Sequence, residues 1–114
     1  MKTLITCSGL SNTGRLTTQV ATILMSRHPA AITWVKAHKG RQRIADAAED
    51  ADLVIVLEGC PDHCASKKTI DAGIKADIHL VATELGVEKN GMAEVQWNDI
   101  EKVLTAIEQK INGV

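Results

Sequence analysis

The chain has 114 residues, enough for one domain burying roughly 65% of its unfolded surface and too few for two ordinary ones. Thirteen Lys and Arg against fourteen Asp and Glu give a formal charge of −1, so no global field draws it to nucleic acid or to a membrane surface. With no Phe, no Tyr and two Trp, the core must be aliphatic and the chain lacks the aromatic platform that single-stranded nucleic acid stacks on, so neither nucleic acid nor membrane is an expected partner.

Lys2-Thr-Leu-Ile-Thr-Cys7 reads as a first strand, followed by Ser8-Gly-Leu-Ser-Asn-Thr-Gly-Arg15, a loop of small and polar residues. Leu16, Val20, Ile23 and Leu24 then recur at helical spacing, and Pro29 ends that helix. Ala31 to Val35 forms a short second strand. Lys36, His38, Lys39, Arg41 and Arg43 make the connection after it basic, and its place at the sheet edge suits it to steer a small acidic ligand or an acidic partner toward the crevice. Ile44, Ala47, Ala48 and Ala51 share one face of a second helix, whose small side chains permit close packing on a sheet.

Leu53-Val-Ile-Val-Leu57 is an uninterrupted apolar run, the pattern of a strand buried on both faces at the centre of a parallel sheet. Asp62 is the expected N-cap of a third helix over about 63–72, closed by Gly73 in the left-handed conformation. Asp77 to Val81 supplies a fourth strand. A loop over about 82–96 turns at Gly86 and Asn90-Gly91 and leads to a last amphipathic helix carrying Ile100, Val103, Leu104, Ile107 and Ile111. Strands alternating with helices predict an α/β fold: a small, doubly wound, flavodoxin-like open parallel sheet of about four strands in the order 2-1-3-4, helices on both faces, one domain spanning 1–114.

Met1-Lys2 leads straight into the first strand with no export signal, and no membrane-spanning run occurs, so a cytoplasmic location is expected. Three cysteines in a reducing compartment read as free thiols, redox thiols or metal ligands rather than as a disulfide framework. Cys7 ends strand one, and Cys60 and Cys64 occupy the turn after strand three. In the order 2-1-3-4 these strands are neighbours, so all three thiols flank the switch-point crevice where open α/β folds bind ligands. Thiolates converging from a loop, a turn and a helix start suit zinc or another thiophilic metal.

His63 lies between the two later thiols, but adjacent residues at a helix start diverge by about 100°, so its place in the sequence does not put it on the same ion as Cys64. Lys67 stands in the first turn of the third helix, where a cation opposes the macrodipole unless thiolates or a bound anion offset it. Ser8, Gly9, Ser11 and Asn12, with Lys67, are candidates for holding an anion near a helix start. Their loop carries neither the Walker pattern nor the three-glycine dinucleotide fingerprint. Seven residues separate Cys7 from Arg15, which departs from the Cys-x5-Arg loop of small phosphatases and arsenate reductases.

Three segments carry a family resemblance: Cys-Ser-Gly-x-Ser-Asn-x-Gly-x-Leu-Thr at 7–17, Glu-Gly-Cys-Pro-x-x-Cys-Ala-x-Lys at 58–67 and Leu-Gly-x-Glu-Lys at 85–89. Together they resemble the DGC-domain family, small proteins named for a central Asp-Gly-Cys motif. The resemblance implies a metal site of four cysteines, with Cys7, Cys60 and Cys64 at ligand positions, and implies no particular reaction. Here Glu58 replaces the motif's Asp, and the fourth cysteine, expected near the end of strand two, has no counterpart between Trp34 and Lys39. Water, His38, His63 or Glu58 would then complete the coordination, and three protein ligands with an open position is the arrangement catalytic zinc sites use. Two other classes stay open: a thiol redox or thiolate-nucleophile enzyme using Cys60 and Cys64, in which Lys67 and the helix start activate a thiol, and a metal-free anion-binding or interaction module built on residues 8–15.

Overall fold

The computed structural model describes residues 1–7, 9–59 and 62–113. Four strands, β1 (Lys2–Thr6), β2 (Ile32–Lys36), β3 (Leu53–Glu58) and β4 (Ile78–Val81), pair in parallel in the order β2-β1-β3-β4. Between and after them run α1 (Asn12–Arg27), α2 (Arg41–Ala48), α3 (Cys64–Asp71) and α4 (Trp97–Asn112). The fold class and strand order are those the apolar pattern predicts.

Alternation along the strands divides the core into two layers. Leu4, Leu53, Ile55, Leu57, Ile78 and Leu80 face α1 and α4, meeting Leu16, Val20, Leu24, Val103 and Ile107. Ile5, Val54 and Val56 face the other way, packing with Ile44 and Ala48 of α2 and Ala65 of α3. All six residues of β3 are buried because both its faces are covered, which is why its sequence shows no alternation. Among the described residues, no helix is long and apolar enough to cross a membrane.

Two boundaries differ from the sequence expectation. Helix α1 starts at Asn12, four residues before the first apolar residue of its periodic pattern, with Ser11 as N-cap accepting the Gly14 N–H at 3.4 Å. Its first turns are buried through Asn12, Thr13, Gly14 and Thr17, so hydrophobic periodicity carries no sign of them. The long loop after β4 contains a 3₁₀ turn, Ala82–Leu85, closed by Gly86 at φ +97°. Gly73, at φ +78°, takes the left-handed conformation expected after the third helix.

The feature that shapes the C-terminal edge of the sheet is a backbone contact. A Cβ placed on Gly59 would lie 2.6 Å from the carbonyl carbon of Thr13 and 2.9 Å from the nitrogen of Gly14. The chain leaving β3 therefore touches the first turn of α1, and only a residue without a side chain fits. Gly59→Ala is expected to cost about 1–3 kcal/mol, the range for forcing a methyl into packed surroundings. Gly9→Ala, whose Cβ would meet its nearest atom at an ordinary 3.8 Å, should stay within about 0.5 kcal/mol of wild type. Urea denaturation of the two variants checks the contrast.

Candidate metal centre

Glu58 is the last residue of β3 and is 1% exposed. A carboxylate so buried is costly unless its oxygens are paired. One oxygen, Oε1, accepts the Ser66 N–H at 3.0 Å, satisfying a donor that the first turn of α3 would otherwise leave open. The other, Oε2, meets two imidazoles: Nδ1 of His63 at 2.9 Å and Nε2 of His79. The rings lie 5.5 Å apart, centroid to centroid, at 49°.

Each of these side chains has a separate structural origin. In the register of β3 with β4, Val56 pairs with His79, so alternation sets Glu58 and His79 on the same face of neighbouring strands. His63 arrives from the turn before α3. It is the residue at the N-cap position and lies at φ 55°, ψ 36°, a left-handed conformation costing a non-glycine residue about 1–2 kcal/mol. The turn directs its ring toward Glu58, and its carbonyl accepts the Lys67 N–H at 2.9 Å. The expected cap by Asp62 is therefore corrected: Asp62 lies one position outside, with Lys89 Nζ 3.7 Å from its carboxylate, and a carboxylate from the sheet takes over the satisfaction of α3.

Donor atoms of Glu58, His63 and His79, one from each, all lie within 4.8 Å of one another, making this trio a candidate metal-binding cluster. The donor chemistry fits a divalent ion. A single buried oxygen faces two ring nitrogens, and two imidazoles with a carboxylate is a recurrent ligand set for first-row transition metals.

Next to the trio an open pocket of about 280 Å³ is lined by Cys7, Cys64, Gly9, Ser11, Gly14, Glu58 and Gly59, among others. Cys7 is 8% exposed, and its Sγ accepts the Gly59 N–H at 3.3 Å and lies 3.5 Å from Thr17 Oγ1. Cys64 is exposed, and both thiols are free. Cys60 and Ser8 lie outside the described residues, and with them the expected Cys60–Cys64 pair.

Of the proposed fourth ligands, Glu58 and His63 engage each other and His79. His38 lines a different pocket, with Arg15 and Lys36. Lys67 borders a shallow hollow with Lys68 and Asp71 rather than the thiol pocket. Over 9–15, three backbone donors are engaged within the fold: Asn12 N–H goes to the Gly91 carbonyl at 2.7 Å, Gly14 N–H to Ser11 Oγ, and Arg15 N–H to the Ser11 carbonyl at 2.9 Å. Sequence reasoning missed His79. Its signal was an imidazole set between Ile78 and Leu80 on a strand, but only the pairing register reveals what it faces.

A family model described as the DGC domain matches residues 3–107. The chain belongs to the DGC-domain family. No curated protein and no solved structure matches it.

In this DGC domain the three segments of the resemblance meet at one edge. The first and second touch through Gly14 and Gly59. The first and third are joined by Asn12, whose side-chain amide donates to the Glu88 carbonyl at 2.7 Å and accepts the Asn90 N–H at 2.7 Å. The second and third are joined by the Asp62–Lys89 pair, which brings Lys89 to the pocket rim. Asn12→Ala should therefore release the segment over 88–91, with faster hydrogen exchange at the Asn90 amide and about 1–3 kcal/mol lost with the two hydrogen bonds. Exchange at Asn90 no faster than in wild type would show that other contacts hold the segment.

Proposed function

We propose that this DGC domain, acting as a single unit over residues 1–114, binds a divalent metal through Glu58, His63 and His79. The observation that carries this reading is the buried Glu58 carboxylate with one oxygen shared by two imidazoles from different elements. Zinc is the ion we favour, since two histidines and one glutamate leave positions for water or substrate in known catalytic zinc chemistry. In such a setting the ion supplies Lewis acidity toward a bound oxygen. The protein's part is to keep the carboxylate desolvated, hold it by the Ser66 N–H and present both rings toward one point.

A second reading is favoured by the position of Cys7 and Cys64 on one pocket wall beside the trio. Here Cys7, Cys60 and Cys64 hold a zinc or other thiophilic ion, with its fourth position open to water or a small ligand. A reducing cytoplasmic setting, where thiols persist, suits this set. Both readings place metal at the same sheet edge, and they differ in donor chemistry.

Cobalt(II) titration of the full chain separates them. With nitrogen and oxygen donors, the visible ligand-field bands should form without intense sulfur-to-cobalt charge transfer in the near ultraviolet. His79→Ala should weaken binding by more than about tenfold, because each ligand supplies a large share of the binding free energy, while Cys7→Ser and Cys60→Ser should leave it unchanged. Charge-transfer bands abolished by Cys7→Ser or Cys60→Ser and indifferent to His79→Ala would assign the ion to the thiolates. Absence of uptake of cobalt and zinc alike would remove both readings.

A further inference from the structure

Across the ridge formed by Gly9 and Leu10, on the side away from Glu58, a second pocket of about 300 Å³ is lined by Arg15, Thr18, Gln19, Lys36 and His38. Lys36 also borders an adjoining hollow of about 220 Å³, together with Trp34, Lys39 and Arg43. No Asp or Glu lines either one. In a chain whose formal charge is −1, positive charge has been gathered here without local compensation. None of Arg15, Lys36, Lys39 and Arg43 enters an ion pair among the described residues.

The cations are also partly organised. Lys36 Nζ lies 5.6 Å from the centroid of the Trp34 ring, whose indole N–H is itself fixed on Thr6 Oγ1 at 3.0 Å. Arg15 donates from one guanidinium nitrogen to the Ala93 carbonyl, so backbone rather than a carboxylate fixes its head group. Among the described residues, its buried Nε has no hydrogen-bond partner. A pocket-lining guanidinium held by a carbonyl and not by a carboxylate keeps its charge available to an oxyanion.

We infer that this pocket binds the oxyanion group, phosphate or carboxylate, of a small molecule. Arg15 and Lys36 supply the charge, and Thr18 and Gln19 supply neutral hydrogen bonds. The volume suits a small-molecule anion and its first few attached atoms. Because Gly9 and Leu10 line both this pocket and the one holding Cys7 and Glu58, a molecule anchored here extends over Leu10 toward the candidate metal centre. That last step alone rests on the metal reading, and it makes an acidic small molecule the substrate class.

The test is a two-dimensional NMR titration of the full chain with inorganic phosphate and, separately, with acetate. Saturable shifts at Arg15, Thr18, Gln19 and Lys36 with either probe are expected. A response to phosphate alone identifies the phosphate form of the group, and a response to acetate alone the carboxylate form. Lys36→Gln should weaken binding about tenfold or more, as loss of a hydrogen bond to a charged group does. Arg15→Lys should do the same. If Arg15→Lys fails to fold through loss of the Ala93 contact, Lys36→Gln carries the test. His79→Ala should leave the anion titration unchanged, so failure of the metal reading leaves this result intact. No saturable shift with either probe, shifts spread equally over Lys67 and Lys68, or an affinity unmoved by Lys36→Gln would overturn the proposal.

Discussion

The carboxylate of Glu58 is 1% exposed and must find partners where it lies, because the sheet and α3 close over it. Ser66 meets one oxygen from the helix side, and His63 and His79 meet the other from the turn and from β4. The arrangement satisfies the start of a short helix and fixes the approach of two imidazoles. It also leaves His63 in a left-handed conformation with its ring on Glu58. The candidate metal centre and the capping of α3 are thus one set of contacts, and a change that relieved one would disturb the other.

A second constraint sets the shape of the pocket beside it. Thr13 and Gly14 approach the backbone of Gly59 so closely that the first turn of α1 and the end of β3 act as one wall. Asn12 then ties the segment over 88–91 to that wall with both ends of its amide. A side chain and a backbone segment more than seventy positions apart in the chain thus come together outside the hydrophobic layers. The layers themselves, Leu and Ile against α1 and α4 on one side and Val, Ile and Ala against α2 and α3 on the other, supply the rigid support.

The polar edge of the sheet divides into two chemically different hollows separated by the Gly9–Leu10 ridge. One presents sulfur, carboxylate and, beside it, imidazole. The other presents guanidinium, ammonium and the His38 imidazole, with no acidic residue. This division follows from the strand order, since β1 and β3 deliver Cys7 and Glu58 to one side of the ridge while β2 delivers Lys36 to the other. The proposed metal centre and the proposed oxyanion pocket thus lie on opposite sides of one ridge.

The sequence by itself determined the parts governed by periodicity and local rules. The unbroken apolar run from Leu53 to Leu57 read as a doubly covered strand, Gly73 as a helix terminator, and the alternation of strands with helices as a parallel sheet, whose order 2-1-3-4, the commonest for so short a doubly wound chain, is the one observed. It also brought Cys7 and the turn after β3 to one crevice. Two things were invisible to it, because the contacts that decide them are set by tertiary packing and strand register rather than by spacing in the chain. One was the start of α1, whose buried first turn is polar because it packs on glycine and on Asn12's amide partners instead of on the core. The other was His79, an ordinary polar residue on a strand until the pairing of Val56 with it sets Glu58 on its face. Tertiary structure alone decided that Glu58 and His63 turn to His79, and that His38 joins Arg15 and Lys36 on the far side of the ridge.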